Sequence, residues 1–156
     1  MAAEKLHELL DQHDVAYERH THERVVTAQR LAAAEHVSGW EVAKPVLLSI
    51  SGELAMVVVP AAAEVDLDKC TELLGHNEVR LATEDEFVDT FADSELGAEP
   101  PFGNLYGIPV FVDQSLQTQQ RIVCRDGTHT SSITIAVADY VRVVKPEIAD
   151  VIRPAN

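Results

Sequence analysis

The sequence predicts an α+β fold, a mixed β-sheet with helices packed on it, in a single domain covering residues 1–156. Apolar residues recur at helical spacing in some segments and alternate with polar residues in others. These segments interleave without the regular strand–helix–strand repeat of a doubly wound sheet. A chain of 156 residues with 46% hydrophobic content has the size and composition for one core.

Helices are predicted from an apolar stripe near the N-terminus and from capping residues further along. Thr27 and Asp66 have side chains preferred at the N-cap of a helix. Thr83 with Glu86 forms a capping box, and Pro146 ends the last helix. The predicted helices cover residues 3–13, the segment after Thr27, residues 66–75, the segment after Thr83, and residues 138–144.

Strands are predicted where β-branched and apolar residues form short runs or alternate with polar ones. The turn residues Ser51 and Gly52 separate two such runs and predict a hairpin. The predicted strands are residues 15–20, 46–50, 54–59, 79–81, 109–112, 121–124 and 132–135.

The composition of the chain restricts the classes of function that it can have. The chain has 26 Asp and Glu against 12 Lys and Arg, a formal net charge of −14. This argues against DNA binding and other extended phosphate-backbone contacts, which need many cations, although a few local cations suffice for a short nucleic-acid end. No apolar run approaches the ~20 residues of a membrane span, and no signal peptide is recognisable. We therefore expect a cytoplasmic protein without membrane contact, in which Cys70 and Cys124 are free thiols.

Lys44 is one of four lysines and stands at the start of an apolar run. Pro45 favours an extended backbone before it, and proline is tolerated at the first position of a strand. We therefore expect Lys44 at the entrance of a buried strand, with its ammonium beside apolar walls. It is either a functional cation or the partner of a nearby carboxylate in a purely structural ion pair.

Two further segments are candidates for a site. Residues 97–109 are rich in glycine and proline, and form either a ligand-binding loop or a rigid connection on which Phe102 and Tyr106 pack. His129 lies among hydroxyl residues between two predicted strands, and an exposed turn is favoured there over a proton relay. His20 and His22 lack the further ligands that zinc requires, so no metal is expected.

Four stretches, spread over nearly the whole chain, occur in the order and spacing of a known family. They are residues 22–27, 42–48, 100–106, and 127–129 followed by Ile133 and Asp139. Together they resemble the YbaK/EbsC family, whose fold is shared with the editing domain inserted in bacterial prolyl-tRNA synthetases. The resemblance implies a stand-alone domain with a mixed, partly barrel-like sheet.

The resemblance also implies an activity, that of a trans-editing deacylase. Such an enzyme hydrolyses the ester between a small mischarged amino acid and the terminal adenosine of a tRNA, without a cofactor. Its expected partners are the acceptor end of aminoacyl-tRNA and an aminoacyl-tRNA synthetase or elongation factor. The implied catalytic residues are Lys44, Gly103 and His129, and the implied substrate-binding residues are His22, Thr27, Pro101, Phe102, Asn104, Tyr106 and Ser131.

The chemistry of these residues is consistent with direct attack by water, since no nucleophile motif is present. Backbone N–H groups of residues 102–104 are candidates for stabilising the oxyanion. Lys44 is expected to hold the RNA end as a point charge rather than to transfer a proton. Pro45 departs from the threonine usual in the family. The alternative function is a non-catalytic binding module for an aminoacyl-adenosine-like ligand or a protein partner.

Overall fold

The computed structural model describes residues 2–75 and 78–154, and it confirms the predicted α+β class. The helices are α1 (Ala2–Gln12), α2 (Ala28–Ala34), α3 (Leu67–Leu73), α4 (Glu84–Phe87), α5 (Gln114–Gln117) and α6 (Val137–Val144). The strands are β1 (Tyr17–Thr21), β2 (Val42–Ile50), β3 (Glu53–Pro60), β4 (Ala63–Val65), β5 (Val79–Leu81), β6 (Val110–Asp113), β7 (Arg121–Arg125), β8 (Ser131–Ala136), β9 (Glu147–Ala149) and β10 (Ile152–Pro154). Short 3-10 helices cover Gly39–Glu41 and Gly103–Tyr106.

The main sheet is mixed and open. Its strand order is β1-β8-β7-β2-β3-β6-β9, and β5 pairs with β2 off this path. The β2–β7, β3–β6 and β6–β9 pairs are parallel, and the other pairs of this sheet are antiparallel. Within the described residues, β1 and β9 are the two edges of the sheet and do not pair with each other. The sheet that the resemblance implied to be partly barrel-like is therefore not a closed barrel. Strands β4 and β10 form a separate antiparallel pair.

The predicted hairpin is confirmed as β2 and β3. Ser51 and Gly52 both have positive φ, 50° and 89°, as a two-residue type I′ turn requires. The strands pair antiparallel from Ile50 opposite Glu53 back to Ala43 opposite Pro60. The hairpin is longer than predicted, and it forms the centre of the sheet.

Pro45 lies inside β2 rather than at its first position, because the strand begins at Val42. Hydrogen-bonded and non-hydrogen-bonded pairs alternate from the turn, so Pro45 opposite Val58 falls in a non-hydrogen-bonded pair. Its nitrogen faces away from β3, and the missing N–H removes no bond of that ladder. On this other side, β7 pairs only with Val42 and Ala43 of β2, and β5 begins at Leu48. The stretch between them has no neighbouring strand among the described residues.

The predicted caps are confirmed for three helices. The Thr27 hydroxyl accepts a hydrogen bond from the N–H of Arg30 at 3.1 Å, and the Asp66 carboxylate accepts one from the N–H of Lys69 at 3.1 Å. In the capping box before α4, the side chain of Glu86 accepts from the N–H of its N-cap residue at 2.9 Å. Such contacts are local in sequence, which is why the sequence indicates them.

The core is divided between the two faces of the sheet. The largest buried cluster joins one face to α1, α5 and α6, and includes Phe102 and Tyr140. Two smaller clusters cover the other face, one beneath α2 with Val42 and one beneath α3 with Leu48. Because side chains alternate along β2, Lys44 projects from this second face, between the two smaller clusters. No helix in the described part of the chain is long and apolar enough to cross a membrane.

Gly103 provides a test of the packing. A Cβ at this position would lie 2.7 Å from Cγ2 of Val110 and 3.0 Å from Cγ1 of Ile108. We expect Gly103→Ala to lower the free energy of unfolding by about 1–3 kcal/mol through overpacking. Chemical denaturation of the variant measures this loss.

Val110→Ala gives the matched control, because it removes the methyl group that the new Cβ would meet. The Gly103→Ala/Val110→Ala double variant should lose less stability than the sum of the two single losses. Strict additivity would show that the contact with Val110 is not what requires glycine.

Candidate functional site

A pocket of about 510 Å³ opens where β2 lacks a neighbouring strand. The stretch of β2 that includes Lys44 and Pro45 forms one wall, and the start of α2 at Thr27 forms another. Residues after β5, the Leu96–Gly97 segment and the buried side chains of Glu99 and Arg125 complete the lining. The gap in strand pairing therefore places a charged lysine, a charged arginine and apolar walls around one cavity.

Lys44 lines this pocket, half-buried, at the boundary with a second hollow of about 490 Å³. Its ammonium donates a hydrogen bond to the carbonyl oxygen of Ala63 at 2.9 Å. Burial lowers the pKa of Lys44, and the charge of Glu64 raises it by less. The Glu64 carboxylate forms an ion pair with Arg153 at 3.2 Å. Among the described residues no carboxylate forms an ion pair with Lys44, which argues against a purely structural role.

Arg125 is a second cation in the pocket, and the sequence patterns do not single it out. Arg125 is 4% exposed. Its Nη2 lies 3.4 Å from the carbonyl oxygen of Thr27, and its Nη1 is buried with no hydrogen-bond partner in the described structure. Burial lowers the pKa of Arg125, against the charges of nearby carboxylates that include Glu99. The sequence does contain a signal, because Arg125 directly follows the apolar run of a predicted strand. However, Lys44, whose proximity makes this position informative, is far from Arg125 in the sequence.

His129 lies one layer behind the pocket wall. It is 2% exposed, so the interpretation as an exposed turn was wrong. Its Nε2 is 2.8 Å from the carbonyl oxygen of Leu96, and its backbone N–H donates to Glu95 at 3.1 Å. A Cβ on Gly97 would lie 3.5 Å from the ring of His129. His129 therefore supports the segment that forms the wall, and in this structure it is not part of the pocket lining.

The predicted substrate loop contributes to the core instead of the pocket lining. Phe102 is fully buried and stacks edge-to-face on Tyr140, with ring centroids 5.2 Å apart. The hydroxyl of Tyr140 donates to the carbonyl oxygen of Pro101 at 2.5 Å. Tyr106 donates to Asp93 at 3.1 Å. The interpretation of this loop as a rigid connection with packed aromatics fits these contacts.

The glycine of this segment that reaches the pocket is Gly97, not Gly103. Gly103 is buried against Val110, and Asn104 is exposed outside the lining. Gly97 has a φ of 86° and lines the pocket next to Leu96. A residue with a side chain is disfavoured at this φ, so glycine is required at this point of the pocket wall.

The remaining predicted residues lie at different places. Thr27 lines the pocket together with Lys44. His22 lines a separate depression with Arg24 and Arg30, and its Nε2 is 3.9 Å from the carboxylate of Glu35. The Ser131 hydroxyl donates to Asp126 at 2.5 Å within its own loop.

The two cysteines are poor nucleophiles. Both Cys70 and Cys124 are buried, and burial raises the pKa of Cys70 to about 11. Burial also raises the pKa of Cys124. Each therefore remains a thiol near neutral pH, and neither lines the pocket.

Comparison with solved structures gives the same fold over nearly the whole chain. A hypothetical protein, APE2540, superposes with a TM-score of 0.86 at 22% identity, covering 96% of this chain and 99% of that one. A structure described as a "putative trans-editing enzyme for prolyl tRNA synthetase" superposes with a TM-score of 0.84 at 19% identity, covering 97% of each chain. At these identities the likeness establishes the fold.

Sequence comparison establishes the family. The profile of the aminoacyl-tRNA editing domain matches residues 22–143, which include Thr27, Lys44, Gly97 and Arg125 of the pocket. This confirms the resemblance drawn from the four sequence stretches. The chain belongs to the aminoacyl-tRNA editing domain family.

Proposed function

We propose that this protein is a trans-editing deacylase, which hydrolyses the ester between a small mischarged amino acid and the 3′ end of a tRNA. The observation that carries the proposal is the position of Lys44. It lies in the wall of a pocket of about 510 Å³ and has no ion-pair partner in the described part of the chain, which belongs to the aminoacyl-tRNA editing domain family. A cavity of this size is typical of sites for small molecules.

Lys44 is proposed to hold the RNA end. Lys44 lines both the pocket and the second hollow, so it can contact an RNA end whose acyl group occupies the pocket. The second hollow is also lined by Arg153 and by the carboxylates of Glu64, Asp66 and Asp68, so a phosphate fits only beside its two cations and the carboxylates suit ribose hydroxyls. A compact, point-like charge suits a phosphate contact of this kind. The lowered pKa reflects the cost of keeping the ammonium partly out of water, and an anionic ligand would offset that cost.

The acyl group is proposed to lie against the apolar walls. The lining includes Val46, Leu47, Leu81 and Phe87. Walls of this kind discriminate by clash against large side chains, since one methylene changes binding by only ~1–3 kcal/mol. A small amino acid is therefore the preferred substrate.

Water is proposed as the nucleophile. Thr27 is the hydroxyl residue of the described lining, and its oxygen already caps α2. An aminoacyl ester is labile, so holding it near a water molecule and stabilising the oxyanion supply the needed catalysis.

The net charge of −14 limits how the protein meets tRNA. We propose contact with the acceptor end alone, and delivery by a bound synthetase or elongation factor that raises the local concentration of substrate. The neighbour whose description refers to prolyl-tRNA synthetase makes that synthetase the first partner to test.

The central experiment is a deacylation screen over alanyl-, cysteinyl-, seryl- and prolyl-tRNA with wild type and Lys44→Ala. We expect wild type to release a small amino acid from at least one of these tRNAs. Lys44→Ala should lower kcat/KM by about 100-fold or more, in the range found when one charged contact to the reacting complex is lost. Release is measured as loss of labelled amino acid from the tRNA.

Exposed Lys145 offers the matched control, and Lys145→Met should retain wild-type kcat/KM. If wild type leaves the whole panel intact, the deacylase proposal fails. Thermal stabilisation by a non-hydrolysable aminoacyl-adenosine without turnover would then favour the binding module.

The stability of Lys44→Met tests the burial of the charge. The pKa of Lys44 in the folded protein is below its ordinary value of 10.5. Between these two values the unfolded chain binds more protons, so this residue makes the unfolding free energy of wild type rise with pH. Below the folded pKa the buried ammonium destabilises wild type fully, and Lys44→Met should therefore be at least as stable there.

The advantage of Lys44→Met over wild type should shrink as pH rises toward 10.5. Urea unfolding of both proteins across the alkaline range measures this difference, with Lys145→Met as the surface control. A Lys44→Met variant that is less stable at neutral pH and still active would indicate a structural role for Lys44.

A further inference from the structure

Arg125 is a buried cation whose surroundings do not account for it. Among the described residues no carboxylate forms an ion pair with it, and its single hydrogen bond is the 3.4 Å contact from Nη2 to Thr27. That distance is at the long end for an N–H···O bond, whose usual value is about 2.9–3.0 Å. A guanidinium has five N–H donors and is almost never fully buried without partners.

Three carboxylates act on Arg125 through their charge, Asp126 most strongly, and each is hydrogen-bonded to another group. Glu95 accepts from the backbone N–H of His129 at 3.1 Å and pairs with Arg24 at 3.2 Å. Glu99, which lines the pocket with Arg125, accepts from the backbone N–H of Gly97 at 3.2 Å. These charges lower the cost of the buried guanidinium at a distance, but they do not satisfy its donors.

The strand register places Arg125 beside Lys44. In the parallel β2–β7 pair, Val42 is opposite Val123 and Ala43 is opposite Cys124, so the next residues along the two strands are Lys44 and Arg125. These two residues directly follow the last pair of the ladder, and by the alternation along each strand their side chains project from the same face as Val42 and Val123. The two cations nevertheless diverge, since Lys44 is bonded to Ala63 and Arg125 to Thr27.

Because the two side chains bond to different places, they can contact different parts of one ligand. Lys44 borders the second hollow, whereas Arg125 is part of the lining of the first pocket alone. A ligand whose charged end occupies the second hollow at Lys44 would therefore present its acyl end to Arg125. The guanidinium of Arg125, which lines this pocket and has a donor without a partner among the described residues, is then the group nearest to that acyl end.

We propose that the guanidinium of Arg125 donates a hydrogen bond to the carbonyl oxygen of the ester and stabilises the oxyanion that forms there. This inference rests on the proposed deacylase function and assigns the oxyanion contact within it. The oxygen of water forms a bond to the carbonyl carbon, the C=O electron pair moves to the oxygen beside Arg125, and the water proton passes to solvent. When the intermediate collapses, the ester C–O bond breaks, the ribose oxygen takes up a proton, and the amino acid leaves as a carboxylate.

Arg125→Met tests this contact, because methionine keeps much of the apolar stem and removes every donor. We expect kcat to fall by about 100–1,000-fold, as for the loss of one oxyanion donor, with KM changed by less than about 3-fold. Single-turnover assays on the tRNA that wild type deacylates best separate the two parameters. Arg121→Met, at the exposed end of the same strand, should keep wild-type kcat and serves as the matched control.

Two further variants exclude a merely structural explanation. Arg125→Lys keeps a cationic donor without the planar fork, and it should retain more kcat than Arg125→Met. Arg125→Ala should regain activity on addition of guanidinium below denaturing concentration, because the ion fits the space left by the side chain. A structural role would lower the melting temperature without this rescue, and if Arg125→Met does not fold, Arg125→Lys and the rescue decide.

The outcomes separate this inference from the proposed function. If wild type deacylates no tRNA, the deacylase function itself fails. If wild type is active and Arg125→Met keeps kcat within about 3-fold while its KM is raised and depends less steeply on salt than that of wild type, Arg125 binds a phosphate instead. That result would overturn the oxyanion assignment and leave the deacylase function standing.

Discussion

The site depends on the incomplete pairing of β2. This strand is bonded to β3 along its length, but on its other side β7 pairs with it only at Val42 and Ala43, and β5 only from Leu48 onward. A central strand normally has neighbours on both sides, and its side chains are then covered. Here the uncovered stretch leaves room for the pocket, and α2 and the segment at Gly97 enclose it.

The incomplete pairing of β2 also explains why a half-buried lysine, Lys44, and a buried arginine, Arg125, lie close together in a protein of net charge −14. Lys44 and Arg125 occupy matching positions on adjacent strands, where sheet geometry sets the direction of each side chain. Each is held by one backbone carbonyl, and burial lowers the pKa of both. The fold therefore carries electrostatic strain at this place that an oxygen-rich ligand would relieve, a common property of functional sites.

Features encoded locally were predictable from the sequence. The cap at Thr27, the capping box at Thr83 and the turn at Ser51 and Gly52 each depend on residues close together in the chain. Strands β4, β9 and β10 have three residues each and α5 has four, so their periodicity is weak. The sequence patterns predict none of these four elements. The equally short β5 and α4 are indicated by a run of β-branched and apolar residues and by a capping box.

The pocket was predictable only in part, because its residues come from segments far apart in sequence. Lys44 and Thr27 lie in it as expected. Arg125 became significant only once β7 was known to run parallel to β2, a pairing between strands about 80 residues apart that local patterns do not determine. Gly97, and not Gly103, lines the pocket for a related reason, since the two glycines differ in what surrounds them and in φ, which the sequence patterns do not reveal.

Pro45 has a consequence for the solubility of the fold. An unpaired strand edge exposes N–H and C=O groups and can recruit a strand from another chain, which is a route to aggregation. At Pro45 the edge of β2 has no N–H to offer, and a proline ring there obstructs an approaching strand. Pro45 thus keeps the gap accessible to a small ligand while making it a poor template for intermolecular β-sheet.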